Sequence, residues 1–135
     1  MDAESLKVYH DRAAQLADAM RLCQDDLSAY ASAAALLAVH SCISYCDAVL
    51  IQLGGWRSRH EDHKQAAALV KRACKKIGID GNGIAHLEKL LSAKTDISYG
   101  DKLIDSDQIA RYCIAPERFH RWAERILHKG ERPWR

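Results

Sequence analysis

Leu6, Ala13, Leu16 and Met20 fall at helical spacing with acids and bases between them, which predicts one amphipathic helix from about Glu4 to Cys23. Gln24-Asp25-Asp26 is a polar break. From about Ser28 to Leu53 the pattern changes, because two apolar rows run side by side. Leu36, Val39, Ile43, Cys46, Leu50 and Leu53 follow alternating steps of three and four, and Ala31, Ala38, Cys42, Tyr45 and Val49 form a neighbouring row of small residues. Such a helix, roughly 39 Å long at 1.5 Å per residue, has to be covered from two sides, inside a bundle or at a dimer interface. Gly54-Gly55 suits its C-terminal cap, and Ser58 with Glu61 has the spacing of a capping box. A third helix is expected from about Arg59 to Ile77, burying Ala66, Leu69, Val70, Ala73 and Cys74 and turning Lys64, Lys71, Arg72, Lys75 and Lys76 outward. Gly78 to Gly83 reads as a loop, and Ile84, Leu87, Leu90 and Leu91 as a short fourth helix. After a connector from Ser92 to Gly100, Asp105 or Ser106 would cap a last helix burying Ile109, Tyr112, Phe119, Trp122, Ile126 and Leu127. Pro116 must either kink that helix or restart it.

Composition narrows this to one fold class. In 135 residues, 48% hydrophobic and 28% charged, there are only 7 Gly and 2 Pro; the turns and β-branched runs of a sheet protein are missing. The expectation is all-α, an up-and-down bundle of four to five helices over residues 1–128, with a basic tail at 129–135. The net charge of +2 is unevenly spread. Met1 to Leu27 holds three bases and six acids, Arg57 to Lys76 seven bases and two acids, and Asp107 to Arg135 seven bases and four acids. If the two basic segments share a face, that face attracts phosphate; otherwise they are solvated helix surface. Cys23, Cys42, Cys46, Cys74 and Cys113 form no CxxC pair, so buried, reduced thiols are expected rather than a zinc site or disulfides. The acidic start without an apolar h-region predicts a cytoplasmic chain. His40, Ser44, Asp47 and Gln52 make the long second helix too polar for a bilayer span.

Reactive side chains concentrate in Trp56-Arg57-Ser58-Arg59-His60-Glu61-Asp62-His63. With Arg57 in the turn and His63 one turn into the third helix, both would converge where free N–H groups favour an anion. A guanidinium holds phosphate in two places, and an imidazole moves a proton near neutral pH. Together they are the minimum for metal-free RNA cleavage, in which a base deprotonates the 2′-hydroxyl and a cation stabilises the charge that develops. Arg57, Arg59 and Lys64 are the candidate phosphate ligands, with Ser58 beside them. The plainer alternative makes Arg57 and Arg59 exposed turn residues and His63 a packed first-turn histidine. His60 and His63 lack a third ligand, so no metal and no cofactor are expected. On the second helix His40, Ser44, Asp47 and Ile51 lie on one line. A carboxylate in that company requires a partner, for which Arg57, Arg59 or His63 is the natural candidate. Asp47 would then be either a structural ion pair or a support that orients His63. Phe119 and Trp122 are expected in the core.

The run Leu37-Ala38-Val39-His40-Ser41-Cys42-Ile43-Ser44-Tyr45-Cys46-Asp47-Ala48-Val49, then Trp56-Arg57-Ser58 and Glu61-Asp62-His63-Lys64-Gln65-Ala66, resembles the small stand-alone prokaryotic HEPN proteins. The resemblance extends over roughly Glu4 to Leu127. It implies a helical bundle and, in active members, a metal-independent ribonuclease of toxin or defence type whose Arg and His, four to six residues apart, are completed across a homodimer. Arg57 and His63 match that spacing. It further implies RNA or a nucleotide as ligand and an antitoxin or operon partner protein; many members bind without cutting, so a non-catalytic binding or regulatory module is the alternative.

Overall fold

In the computed structural model, residues 3–54, 63–89, 109 and 113–131 are described. They are all-α, with no strand among them. Helix α1 spans Ala3–Gln24, α2 Leu27–Gly54, α3 His63–Ile77, α4 begins at 84 and is described through 89, and α5 spans Ile114–Glu131.

The break between α1 and α2 falls at Asp25 and Asp26, where the sequence pattern put it. Asp26 starts α2: its carbonyl accepts the amides of Ala29 and Tyr30, and its carboxylate accepts the Ser28 hydroxyl at 2.8 Å. Tyr30 (φ −125°, ψ 26°) leaves helical geometry, so the first turn of α2 is bent away from the rest. At the end of α3, Gly78 takes φ +82°. The amides of Gly78 and Ile79 both bond the Cys74 carbonyl at 2.9 Å, closing the last turn as a left-handed cap does. Pro116 lies in the first turn of α5, where its missing N–H costs no helical hydrogen bond; it restarts a helix rather than kinking one.

Helix α2 is the hub, packed by α1, α3 and α5. One cluster centres on Val39, Cys42, Tyr45, Cys46, Val49 and Leu50 of α2. Around it lie Ala13 and Ala17 of α1, Val70 and Cys74 of α3, Ile84 and Leu87 of α4, and Phe119, Trp122 and Leu127 of α5. A second cluster joins Met20 to Ala31, Ala34, Ala35 and Ala38, closed by Ile109 and Cys113. The row of small residues lets neighbouring helices come close, which is why Ala38 and Cys42 are completely covered. Leu36 departs from the expected apolar row, standing 38% exposed; the bend at Tyr30 and a third buried row through Ala34, Ser41 and Ala48 rotate the covered face away from it. Although long and apolar enough to cross a membrane by length and composition, α2 is 67% buried within the protein, as a core helix is. All five cysteines are free, and four are buried. The Gly55 cap, the Ser58–Glu61 capping box, Leu90, Leu91, the Ser92–Gly100 connector, Asp105, Ser106, Tyr112 and the end of the basic tail lie outside the described residues.

Candidate functional site

Arg57, Ser58 and Arg59 lie outside the described residues, as do the side chains of His63 and Lys64. Among the expected site residues Asp47 is therefore the one whose surroundings are described. It is half-buried on α2, and burial pushes its carboxyl from 3.8 up to about 6, against a smaller opposing pull from the Arg12 guanidinium on α1. The expected stripe with His40, Ser44 and Ile51 divides, because His40 is exposed whereas Ser44 and Ile51 are buried. The described cation that Asp47 feels thus comes from α1.

The largest buried polar side chain is one that the sequence pattern did not single out. His120 of α5 is 1% exposed and lies between Ser41 and the Tyr45 ring, 5.2 Å between centroids. The Ser41 hydroxyl donates to the Ala38 carbonyl at 2.9 Å, so the 2.7 Å contact to His120 has Nε2–H donating to Ser41 Oγ. Cys42 Sγ lies 3.5 Å from the same nitrogen, and His120 Nδ1 is buried with no hydrogen-bond partner. Burial, aided by the positive Arg21, pushes the imidazole from 6.5 down to about 3, which keeps it neutral at ordinary pH. Burial likewise pushes the Cys42 thiol well up. A serine and a thiol beside a neutral histidine have the composition of a nucleophilic site. Ser41 and Cys42 are completely covered, however, so no substrate reaches them and the group is structural.

A chain of charged contacts continues toward solvent between α1 and α5. Glu124 accepts from His10 Nε2–H and lies 3.5 Å from His128 Nε2, while Arg21 clamps Glu117 at 3.0 and 3.4 Å and reaches Asp18 at 2.8 Å. These pairs occupy Glu117 and Glu124, the carboxylates that α5 turns toward α1. On the outward side of α5, Arg118, Arg121 and Arg125 recur at steps of three and four, exposed and without an ion pair among the described residues. Arg72, Lys75 and Lys76 on α3 are also exposed, and Lys71 reaches Glu88 only at 3.9 Å.

Two hollows flank the arginine stripe. The smaller, about 330 Å³, lies at the start of α5 beside Arg118 and Arg121. The larger, about 660 Å³, opens where the end of α2 (Gln52, Leu53) meets Ile77, Asp80 and Asn82 behind α3, and Trp122 and Arg125 of α5. Its rim is rigid. Asp80 accepts the Asn82 amide at 3.1 Å and the Asn82 side-chain Nδ2–H at 2.8 Å. Trp122 Nε1–H donates to the Asp80 carbonyl at 2.9 Å, and Trp122 stacks on Phe119 at 5.6 Å. A Cβ at Gly83 would sit 2.3 Å from Trp122 Cγ, so the loop can approach the indole only with glycine there. Gln52 Oε1 is covered and has no donor. Part of the signal for this cleft was in the sequence: Asp80-Gly81-Asn82-Gly83 is strong turn chemistry, and Trp122 and Ile126, which line it from α5, stand one helical turn apart.

No protein-family model matches the chain, and no curated protein matches it. Among the described residues no group of three or more His, Cys, Asp or Glu is placed to hold a metal ion.

Proposed function

We propose that the chain is a HEPN-type helical bundle that acts on RNA, working as a homodimer in the cytoplasm, with a toxin or defence role and an antitoxin or operon partner. His63 would transfer the proton and Arg57 would hold the scissile phosphate, with Ser58, Arg59, Lys64 and Asp47 in support. The observation that carries the reading is the stripe Arg118, Arg121, Arg125. Three exposed guanidiniums without a carboxylate partner among the described residues, while nearby Glu117 is already clamped by Arg21, repel one another and are relieved by phosphate. Arg125 of this stripe lines the larger cleft, and Gln52 and Leu53 on its opposite wall precede Arg57 by a few residues in the sequence. Free cysteines accord with a reducing compartment.

The test is incubation of the purified chain with mixed RNA in EDTA, beside His63→Ala and Arg57→Ala proteins that keep the wild-type melting temperature. Cleavage by wild type and a loss of at least about 100-fold in both variants is the expected result. Equal cleavage by all three, or none by wild type, removes the catalytic claim. The sealed state of His120 favours a second reading, since the described bundle contains no accessible base beside a nucleophile: a module that binds RNA or nucleotide phosphate without cutting. In that case binding without cleavage weakens steeply with salt, and Arg121→Glu abolishes it.

A further inference from the structure

The side of the α1–α2 pair that faces away from α5 is built differently from the rest of the described surface. On α1, Val8, Arg12, Gln15, Ala19 and Leu22 recur at alternating steps of four and three, and all are exposed or half-exposed. On α2, Ala29, Ala33, Leu36, His40, Ile43 and Asp47 repeat the same steps, again exposed or half-exposed. The contacts with α5 leave from the opposite flanks, through His10 and Arg21 on α1 and through Ser41 and Tyr45 on α2. Steps averaging 3.5 residues are the repeat of a helix that packs lengthwise on another helix. Leu22 is 71% exposed, Val8 49% and Leu36 38%, so both rows leave large apolar side chains uncovered within one chain.

We propose that this face binds a second copy of the chain, α1 and α2 of each packing on α2 and α1 of the other as a four-helix bundle. Charge selects that occupant. Arg72, Lys75 and Lys76 on α3, and Arg118, Arg121 and Arg125 on α5, make surfaces of one sign that repel a copy of themselves. The two rows instead carry one fixed cation, Arg12, and one anion, Asp47, which suits a face that must complement itself. Arg12 pulls on Asp47 but forms no ion pair with it among the described residues; its guanidinium lies over the Tyr9 ring, 5.4 Å from the centroid. A two-fold axis along the helices keeps both residues at one height, so Arg12 of each copy meets the partner's Asp47 and two pairs form at once. In dilute solution, where the chains separate, Asp47 is without that pair. The α2 row runs about 27 Å at 1.5 Å per residue, and with the α1 row beside it the face is long enough to bury the roughly 800 Å² per partner of a standard interface. The inference rests on the homodimer of the reading above and names the face through which it forms.

Sedimentation equilibrium on the full chain tests the inference. Wild type has twice its 15.1 kDa chain mass at micromolar concentration. Leu36→Glu places an unpaired charge in the interface and weakens dimerisation at least about 100-fold, while circular dichroism shows the wild-type helix content. Arg12→Glu sets like charges against the partner's Asp47, and Asp47→Lys does the same against the partner's Arg12, so each variant alone is monomeric. Mixed in equal amounts the two variants restore the dimer, because both cross-pairs are then opposite in sign; a variant that had merely failed to fold is not rescued in this way. Arg121→Glu, on the far side of the bundle, leaves dimerisation as in wild type. A dimer that survives Leu36→Glu and both charge reversals, or reversals that mixing does not restore, overturns the face but keeps the homodimer reading. A chain that is monomeric at every concentration overturns both. The expected pattern in a protein that neither binds nor cleaves RNA leaves the face standing and removes the RNA reading.

Discussion

Acidification should unfold this protein through His120, and the size of the effect follows from its surroundings. Its imidazole is neutral in the fold down to about pH 3, whereas in the unfolded chain it takes up a proton near 6.5. A folded pKa depressed below the unfolded value means that the stability is fully present above pH 6.5 and is lost as the pH falls toward 3. The slope is about 1.4 kcal/mol per pH unit. Between pH 6.5 and 4.5 the loss is about 2 to 3 kcal/mol, a large part of the roughly 5 to 15 kcal/mol that holds a domain together. His120→Leu removes the titrating group, and the Ser41 hydroxyl still donates to Ala38. The variant should forfeit about 1 kcal/mol at pH 8 for the lost hydrogen bond and regain about 2 to 3 kcal/mol relative to wild type by pH 4.5. Urea unfolding followed by far-ultraviolet circular dichroism at several pH values measures the difference directly. Parallel stability profiles for the two proteins would refute the reasoning, because they would mean that the folded imidazole accepts a proton as readily as a free one.

Asp47 has the opposite sign. Its folded carboxyl is raised to about 6 from 3.8, so its charge opposes folding above that range and the opposition disappears as pH falls through 6 toward 4. After allowance for the water it still meets, Asp47→Asn should stabilise by about 1 kcal/mol at pH 7.5 and by nothing measurable at pH 4, read from the same unfolding curves. Gly83→Ala drives a methyl into the indole of Trp122 and should cost about 1 to 3 kcal/mol, seen as a lower melting temperature. Gly78→Ala has open space around it and pays for backbone strain instead, about 1 kcal/mol by the same measurement. For RNA binding, each charge-removing change at Arg118 or Arg121 should lower the slope of log affinity against log salt by about 0.7, measured by fluorescence anisotropy on a single strand.

The helices were legible because their signals are local. The break at Asp25-Asp26, the glycine that closes α3 and the proline that opens α5 each act within one turn, and the structure has them where the pattern predicts. Leu36 was misread since a stripe drawn on a straight helix ignores the bend at Tyr30. The Arg12 guanidinium that acts on Asp47 stands on α1, a tertiary fact that spacing does not encode, while the side chains of Arg57, Arg59 and His63 expected beside it lie outside the described residues. The His120–Ser41 pair joins residues 79 apart in sequence. Each sits on an apolar face, and the pattern alone shows only that both go inside.

The position of α2 at the centre has a consequence for how the chain is born. Its cover from α5 ends near Leu127, roughly 70 residues after α2 is complete, and at synthesis rates of about 5 to 20 residues per second the gap lasts about 4 to 15 seconds. During that interval only α1 and, once residue 77 is made, the third and fourth helices can cover a helix that by length and composition alone is apolar enough to cross a membrane. The last helix to be made is thus the one that completes the cover of the second, and until it arrives Phe119, Trp122 and Leu127 leave their side of that helix open.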